Sequence, residues 1–346
     1  MRISRDRPTF GIIGAGHISD YHITGLRAAG AEVLALCGRR ADAVQAKAAR
    51  HGIPHAFADP EALLRRDDID AVVIAAPDAA HEPLALAAAR AGKPMLIQKP
   101  MARTAAECRR ILRAADEAGV PVFVSFMHRY FDEVDAARRL IADGTLGRLF
   151  SVRQRNATPG AGWAAWFYRR VEVGGGVVLQ LGTHGIDLLR HLFGDIQRVW
   201  ATTATLRSER VLDDGTVVRP DNEDHAVALY QFANGLRAVH EMDYTEAAGT
   251  DRFRTEVYGE RGTAWLRTER GRFSVALPDA SGRVVWSSVV LPPERPGERQ
   301  HAHLIAMLRG DAAPDDSARA GLVAVLVAEA IYRSASTGGW EAVEPA

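Results

Sequence analysis

A chain of 346 residues, 47% hydrophobic and 25% charged, has the size of two ordinary domains and enough apolar content to give each a core. The 43 Lys plus Arg balance 43 Asp plus Glu, which argues against a general nucleic-acid or polyanion binder. Two cysteines, Cys37 and Cys108, form no CxxC and no disulfide framework, and a reducing, cytoplasmic setting is expected.

The segment Met1–Pro8 is charged and lacks the apolar stretch of a signal peptide. No run approaches about 18 consecutive apolar residues, so no membrane partner is expected. From there the chain alternates apolar runs with helical stretches. Thr9–Ile13, Val33–Cys37, Ala71–Ala75, Met95–Ile97 and Val122–Ser125 read as strands. His17–Ala29, Ala41–His51, Glu82–Ala91 and a segment from Thr104 to about Ala118 read as helices. Thr104 and Glu107 have the spacing of a capping box. Continuous apolar strands separated by helices predict a parallel sheet covered on both faces.

The texture changes after residue 126. One helix is expected over Asp132–Asp143, and strands over 149–156, 199–206, 225–232, 236–244, 253–258, 264–267 and 284–291. Turn chemistry such as Asp213-Asp214-Gly215 and Ala233-Asn234-Gly235 separates some of them. Helices near Val177–Phe193 and Ala318–Ser334 complete this half. The expectation is an α/β Rossmann domain over 1–126 and an α+β domain over 127–346 with a large, mostly antiparallel, open-faced sheet.

Gly14-Ala15-Gly16-His17-Ile18-Ser19 follows the first strand and opens a helix, in the pattern G-x-G-x-x-S. Gly14 permits the tight turn, and Gly16 lets the backbone approach a pyrophosphate at the helix start, with His17 and Ile18 beside it. The next strand ends in Gly38-Arg39-Arg40 rather than an acid for a ribose 2′-hydroxyl. A 2′-phosphate suits a guanidinium fork, so NADP is favoured over NAD.

Only three lysines are present: Lys47, Lys93 and Lys99. Lys47 reads as a solvated mid-helix residue and Lys93 as a helix C-terminal cap. Lys99 follows the strand Met95–Ile97, at the sheet edge where open α/β folds bind ligands. Its ammonium can stabilise a substrate oxygen as hydride leaves. Downstream, Gln180, His184 and Asp187 fall at i, i+4 and i+7 of an otherwise apolar helix, one polar stripe. His184 suits a general base, and Asp187 suits orienting it or holding a substrate hydroxyl. The alternative reading of the pair is a core histidine satisfied by the aspartate.

Taken in order, Gly11–Ser19, Ala75-Ala76-Pro77-Asp78-Ala79-Ala80-His81, Ala91–Pro100, His128-Arg129-Tyr130, Gly144–Gly147, Gly174–Gly176 and Gly182-x-His184-x-x-Asp187 resemble the Gfo/Idh/MocA oxidoreductases over essentially the whole chain. The resemblance implies a nicotinamide-dependent enzyme acting on a secondary alcohol carbon of a sugar, sugar derivative or inositol-like polyol. It makes Lys99 the catalytic lysine and His184 the acid/base, converging on one carbinol. It puts cofactor contacts at Ala76, Pro77, His81 and Gln98 and requires no metal. Homodimers or homotetramers pairing through the C-terminal sheet are expected.

Two departures stand out. Gln98 replaces the family's common glutamate and Gln180 its common aspartate, so Lys99 is expected to lack two carboxylate neighbours. A non-catalytic NAD(P)-binding sensor of the same architecture is the competing reading, disfavoured by the retained Lys99 and His184. Arg129 and Tyr130 are expected near substrate or cofactor. Trp166, with Trp163 and Phe167, is expected to form a substrate wall or a subunit contact. His301 and His303, at i and i+2 of a helix, diverge and do not suggest a metal.

Overall fold

The computed structural model describes residues 7–248 and 253–346. The reading of the N-terminal segment as no leader rests largely on residues 1–6, which lie outside the described residues. The chain divides into two compact units, Met1–Tyr130 with Arg295–Leu322, and Phe131–Glu294 with Val323–Ala346.

The first unit begins β1 (Thr9–Ile13), α1 (His17–Ala28), β2 (Glu32–Cys37), α2 (Ala41–His51), β3 (His55–Phe57), α3 (Pro60–Leu64) and β4 (Ala71–Ile74). It continues α4 (His81–Arg90), β5 (Met95–Gln98), α5 (Ala105–Ala118) and β6 (Val122–Ser125). The six strands are all parallel, in the order β3-β2-β1-β4-β5-β6. The order reverses between β1 and β4, and ligands of open α/β sheets bind at such a point. β1 and β4 are buried at every position, as strands covered on both faces must be. The capping box forms with a shift: Thr104 Oγ1 accepts from Glu107 N at 3.2 Å, while Glu107 accepts from Arg103 N at 2.9 Å. β3 and α3 were not expected, being too short to establish a period.

The second unit runs α6 (Asp132–Ala142), β7 (Leu149–Ala157), α7 (Arg170–Val173), α8 (Thr183–Phe193), β8 (Ile196–Ala204), β9 (Arg210–Val211), β10 (Val217–Val218) and β11 (His225–Phe232). Then come β12 (Arg237–Asp243), β13 (Arg254–Gly259), β14 (Thr263–Thr268), β15 (Gly271–Pro278) and β16 (Val284–Ser288). The chain returns to the first unit in α9 (Pro296–Arg309), passes along α10 (Ser317–Thr337) and ends with β17 (Glu341–Ala342). The large sheet has nine strands, β16-β15-β14-β13-β7-β12-β11-β8-β17. Among the described residues, only β7 and β12 pair in parallel in this sheet. β15 was not expected, although Phe273, Val275 and Leu277 alternate along it. The return of α9 also departs from a single division at 126/127. Helix α10 is apolar and long enough to cross a bilayer, but 67% of its apolar window is buried, as in a core helix.

One ionic knot holds α6 to the sheet. Glu133 is 0% exposed and accepts from Arg267 Nε at 2.6 Å and Arg272 Nη2 at 2.9 Å. The Arg267 guanidinium also lies 4.3 Å from the centroid of the Phe131 ring. Removing one charge from such a buried set leaves the others uncompensated. We expect Glu133→Gln to lower the free energy of unfolding by about 3–5 kcal/mol in denaturant titration. A loss below about 1 kcal/mol, the worth of a surface pair, would contradict this account.

Candidate active site

The glycine loop is built by close contact. Gly14 has φ +117, and a Cβ on it would sit 2.2 Å from the carbonyl oxygen of Ala75 on β4. Its N–H donates to Cys37 O at 2.8 Å, tying the turn after β1 to the end of β2 while it packs against the residue that follows β4. Gly16 is different: a Cβ there would meet no atom within 4 Å. No protein neighbour requires that glycine. Gly16 is also the N-cap of α1 and makes no side-chain capping bond. His17 is exposed and Ile18 half-buried beside it. Open space before an uncapped helix start fits a pyrophosphate.

Lys47 was expected to be solvated, and the structure corrects this. Its Nζ donates to Gly16 O at 2.7 Å, Ser19 Oγ at 2.9 Å and Asp20 Oδ2 at 2.9 Å. All three ammonium protons are committed to the loop from α2. Burial pushes the Asp20 carboxyl up, but hydrogen bonds from Lys47 and His51 outweigh it and hold the pKa below the usual carboxylate value. Lys93 donates to Arg66 O at 2.7 Å and Ile69 O at 2.8 Å, fixing the turn before β4. At the tip of β2, Gly38 is half-buried while Arg39 and Arg40 are exposed.

The β4 and β5 ends form the chemical half of this unit. β4 pairs with β5 through Ile74 and Ile97, so the loops that follow them are neighbours at one sheet edge. Ala76 and Pro77 are half-buried there. His81, expected beside the cofactor, is 0% exposed, and its ring reaches Ala76 O through Nε2 and Pro100 O through Nδ1, each at 2.9 Å. The ring therefore lies between the two loops. Lys99 follows Gln98, the last residue of β5 and 9% exposed. Burial lowers the Lys99 pKa and the Asp78 carboxylate pulls it back up, leaving it at about 8. Asp78, only 5% exposed, is thus the acid near Lys99 that the sequence reading missed. The visible signal was its position three residues before His81, in a loop valued only for its cofactor contacts.

In the second unit the expected helix is not uniform. Residues Val178–Gly182 form a π-helical turn before α8. Such turns break the i, i+4 spacing assumed for the polar stripe and recur at functional sites. Gln180, His184 and Asp187 are 5%, 7% and 1% exposed. Glu223 braces the entry: its Oε1 accepts from Gly176 N at 2.8 Å, Val178 N at 3.2 Å and Tyr332 Oη at 2.8 Å. Beneath α8 lies a polar network that sequence reading did not anticipate. Tyr230 Oη and Asn156 Oδ1 each contact a ring nitrogen of His240 at 2.9 Å. Gln154 Nε2 donates to Asn156 Oδ1 at 2.9 Å, and Thr255 Oγ1 to Gln154 Oε1 at 2.6 Å. Burial pushes His240 down to about 3, so the ring is neutral. A Cβ on Gly185, next to His184, would lie 2.2 Å from Asn156 Oδ1, so α8 rests directly on this network.

Other expected site residues have their own partners. Arg129 is 7% exposed and pairs with Asp316 at 2.7 Å, and Tyr130 Oη meets His303 Nδ1 at 3.0 Å. Both therefore tie the returning segment 295–322 to the first unit. His301 and His303 diverge as expected, the former toward His22. Trp166 is half-buried with its ring centroid 5.9 Å from that of Phe167. A cavity of about 600 Å³ opens on the large sheet among Arg153, Arg155, Glu241, Arg254 and Glu256, and none of the expected site residues lines it. Among the described residues no group of three His, Cys, Asp or Glu is arranged to hold a metal ion.

Comparison with known proteins agrees with this geometry. Residues 9–126 match the family described as "Oxidoreductase family, NAD-binding Rossmann fold". Residues 134–265 match the "GFO/IDH/MocA C-terminal domain". A 1,5-anhydro-D-fructose reductase of Ensifer adhaerens is 30% identical, over 95% of this chain and 96% of its own. A D-apiose dehydrogenase of Paraburkholderia graminis is 29% identical, over 94% of this chain and 87% of its own. A levoglucosan dehydrogenase solved with NADH is 24% identical and superposes with a TM-score of 0.86, over 99% of this chain and 100% of that one, a likeness of fold. The chain belongs to the Gfo/Idh/MocA family and is an NAD(P)-dependent oxidoreductase acting on CH–OH groups.

Proposed function

We propose that this protein moves hydride between a nicotinamide cofactor and a secondary alcohol carbon of a sugar, sugar derivative or inositol-like polyol. Lys99 polarises the carbinol oxygen and His184 exchanges its proton. The observation that carries this reading is the half-buried Lys99 ammonium just after β5, with a pKa of about 8 and Asp78 nearby. A group of that pKa is charged at neutral pH and can stabilise negative charge on oxygen as the C–H bond breaks. In the oxidative direction the C–H pair leaves as hydride to the nicotinamide, the O–H proton passes to His184, and a carbonyl remains. The reductive direction runs the same transfers backward. The relatives support the substrate class: an apiose dehydrogenase and an anhydrofructose reductase both carry a sugar in their names.

Lys99→Met and His184→Ala are each expected to lower kcat by about 10²–10⁴-fold, the usual share of a proton-transfer group, in absorbance assays at 340 nm with a polyol panel. Near-wild-type turnover in both variants ends the assignment. Asp78 raises the Lys99 pKa, so removing its charge must lower it further. Asp78→Asn should therefore shift the alkaline limb of the kcat profile to lower pH. An unmoved limb would separate Asp78 from Lys99.

For the cofactor we favour NADP, supported by two exposed guanidiniums and no acid at the tip of β2. The levoglucosan dehydrogenase was solved with NADH, so the choice is a direct measurement. The KM for NADP should be the lower one, and Arg39→Ala with Arg40→Ala should raise it about tenfold while leaving that for NAD nearly unchanged. A roughly tenfold preference for NAD in the unaltered protein would refute this.

A further inference from the structure

A chain of buried groups runs through the first unit and ends at the residue before Lys99. His301 on α9 has Nδ1 2.6 Å from Gly297 O, and its Nε2 lies 3.0 Å from His22 Nδ1 on α1. The Gln98 side chain is close enough to His22 to raise its pKa slightly against burial, yet Gln98 Oε1 and His22 Nε2 are both buried with no hydrogen-bond partner. Both histidines are 0% exposed. A Cβ on Gly25 would lie 2.4 Å from His301 Nδ1, so the helices are close because this position is glycine.

Proton accounting settles the direction of the chain. A carbonyl only accepts, so His301 Nδ1 carries the proton given to Gly297. A neutral His301 then offers a bare Nε2, which takes its hydrogen bond from His22 Nδ1–H. A neutral His22 is left with a bare Nε2, which requires a donor. Burial holds both rings neutral: it is the main influence lowering His22 well below the usual histidine value, and it brings His301 down to about 4. The Tyr21 ring packs against both imidazoles, and its hydroxyl bonds Gln300, which in turn bonds Ser125, all uncharged groups. With the Gln98 amide oxygen toward His22, two buried atoms are left unsatisfied, Gln98 Oε1 and His22 Nε2. Turning the amide so that its NH₂ faces the ring gives His22 Nε2 its donor and takes Oε1 away from the bare nitrogen.

We propose that Gln98 is a positioning residue whose amide N–H donates to His22 Nε2, completing a one-way chain Gln98→His22→His301→Gly297 that anchors the end of β5, and with it Lys99, to α9. The anchor requires a donor at position 98. A glutamate there has only acceptor oxygens when ionised, so it forces a proton onto His22. This inference builds on the catalytic reading of Lys99, but its first test does not depend on activity.

Nitrogen-15 NMR of the full-length protein reads the tautomers directly. Both rings should carry their proton on Nδ1, with Nε2 bare and no titration between pH 6 and 8. A His22 proton on Nε2 in the unaltered protein overturns the proposal, whatever Lys99 does. The second test compares Gln98→Glu with Gln98→Met. Gln98→Glu should show a doubly protonated His22 and a kcat about tenfold down at pH 8 that recovers toward pH 6, because the proton restores the link. Gln98→Met should lose activity without that recovery, since it can neither donate nor accept. Identical pH profiles for the two variants would reduce Gln98 to a filler of space. Unchanged turnover in Lys99→Met would instead defeat the catalytic reading and leave the tautomer result standing.

Discussion

The imidazole of His81 bridges two main-chain carbonyls, Ala76 O on the β4 side and Pro100 O on the β5 side. Much of the first unit's chemistry depends on that small bridge. Two loops leave adjacent parallel strands, and nothing in strand pairing alone holds their tips together beyond the last ladder residue. A ring fully enclosed between them spans that gap, each of its nitrogens 2.9 Å from a carbonyl oxygen. The consequence is electrostatic: a carboxylate at position 78 and an ammonium at position 99 share one neighbourhood, where the carboxylate raises the proton affinity of the amine more than it would in water. The lysine becomes a group that titrates at about 8, lowered by burial and drawn back up by the Asp78 carboxylate.

The scarcity of lysine fits this economy. Arginine supplies the ionic surface of the protein, in pairs such as Arg110 with Glu82 and Arg66 with Asp68. The lysines do other work. Lys47 gathers Gly16 O, Ser19 Oγ and Asp20, and Lys93 gathers Arg66 O and Ile69 O. An ammonium offers three donors from one small centre, which suits convergent carbonyls at the end of a loop. A guanidinium spreads five donors over a planar fork and suits a carboxylate.

How much of this was legible followed sequence distance and periodicity. The parallel β/α series, the glycine turn and the position of Lys99 could be read because each rests on local pattern: apolar runs, Gly14 at a strand end, proline after the lysine. The charged neighbour of Lys99 escaped because Asp78 and Lys99 meet only across two strand ends. The His22–His301 pair escaped for a stronger reason, since 279 residues separate the partners and α9 had not been assigned to the first unit. The π-helical turn before α8 was invisible because the apolar pattern over 177–193 fits a regular helix. Lys47 was misread for want of the knowledge that α2 lies beside the glycine loop. Strand and helix existence is a local property, whereas the protonation environment of a side chain belongs to the folded neighbourhood.

The two units share a further physical device beneath their chemical residues. Under α8, the helix that carries His184, a neutral His240 links Tyr230 to Asn156. Next to Lys99, a neutral His22 links Gln98 to His301. A buried histidine is costly as a cation but useful when neutral, because it holds one donor and one acceptor on a rigid ring and so gives a hydrogen-bond chain a direction. Reversing one member requires reversing them all or leaving an unsatisfied atom, and each such atom costs about 1–3 kcal/mol. Directional chains of this kind resist rotation of the side chains at their ends more than apolar packing does, since a methyl group tolerates any orientation. A hydride transfer that needs its donor carbon, acceptor carbon and proton acceptor aligned within fractions of an ångström gains from supports that permit one orientation only.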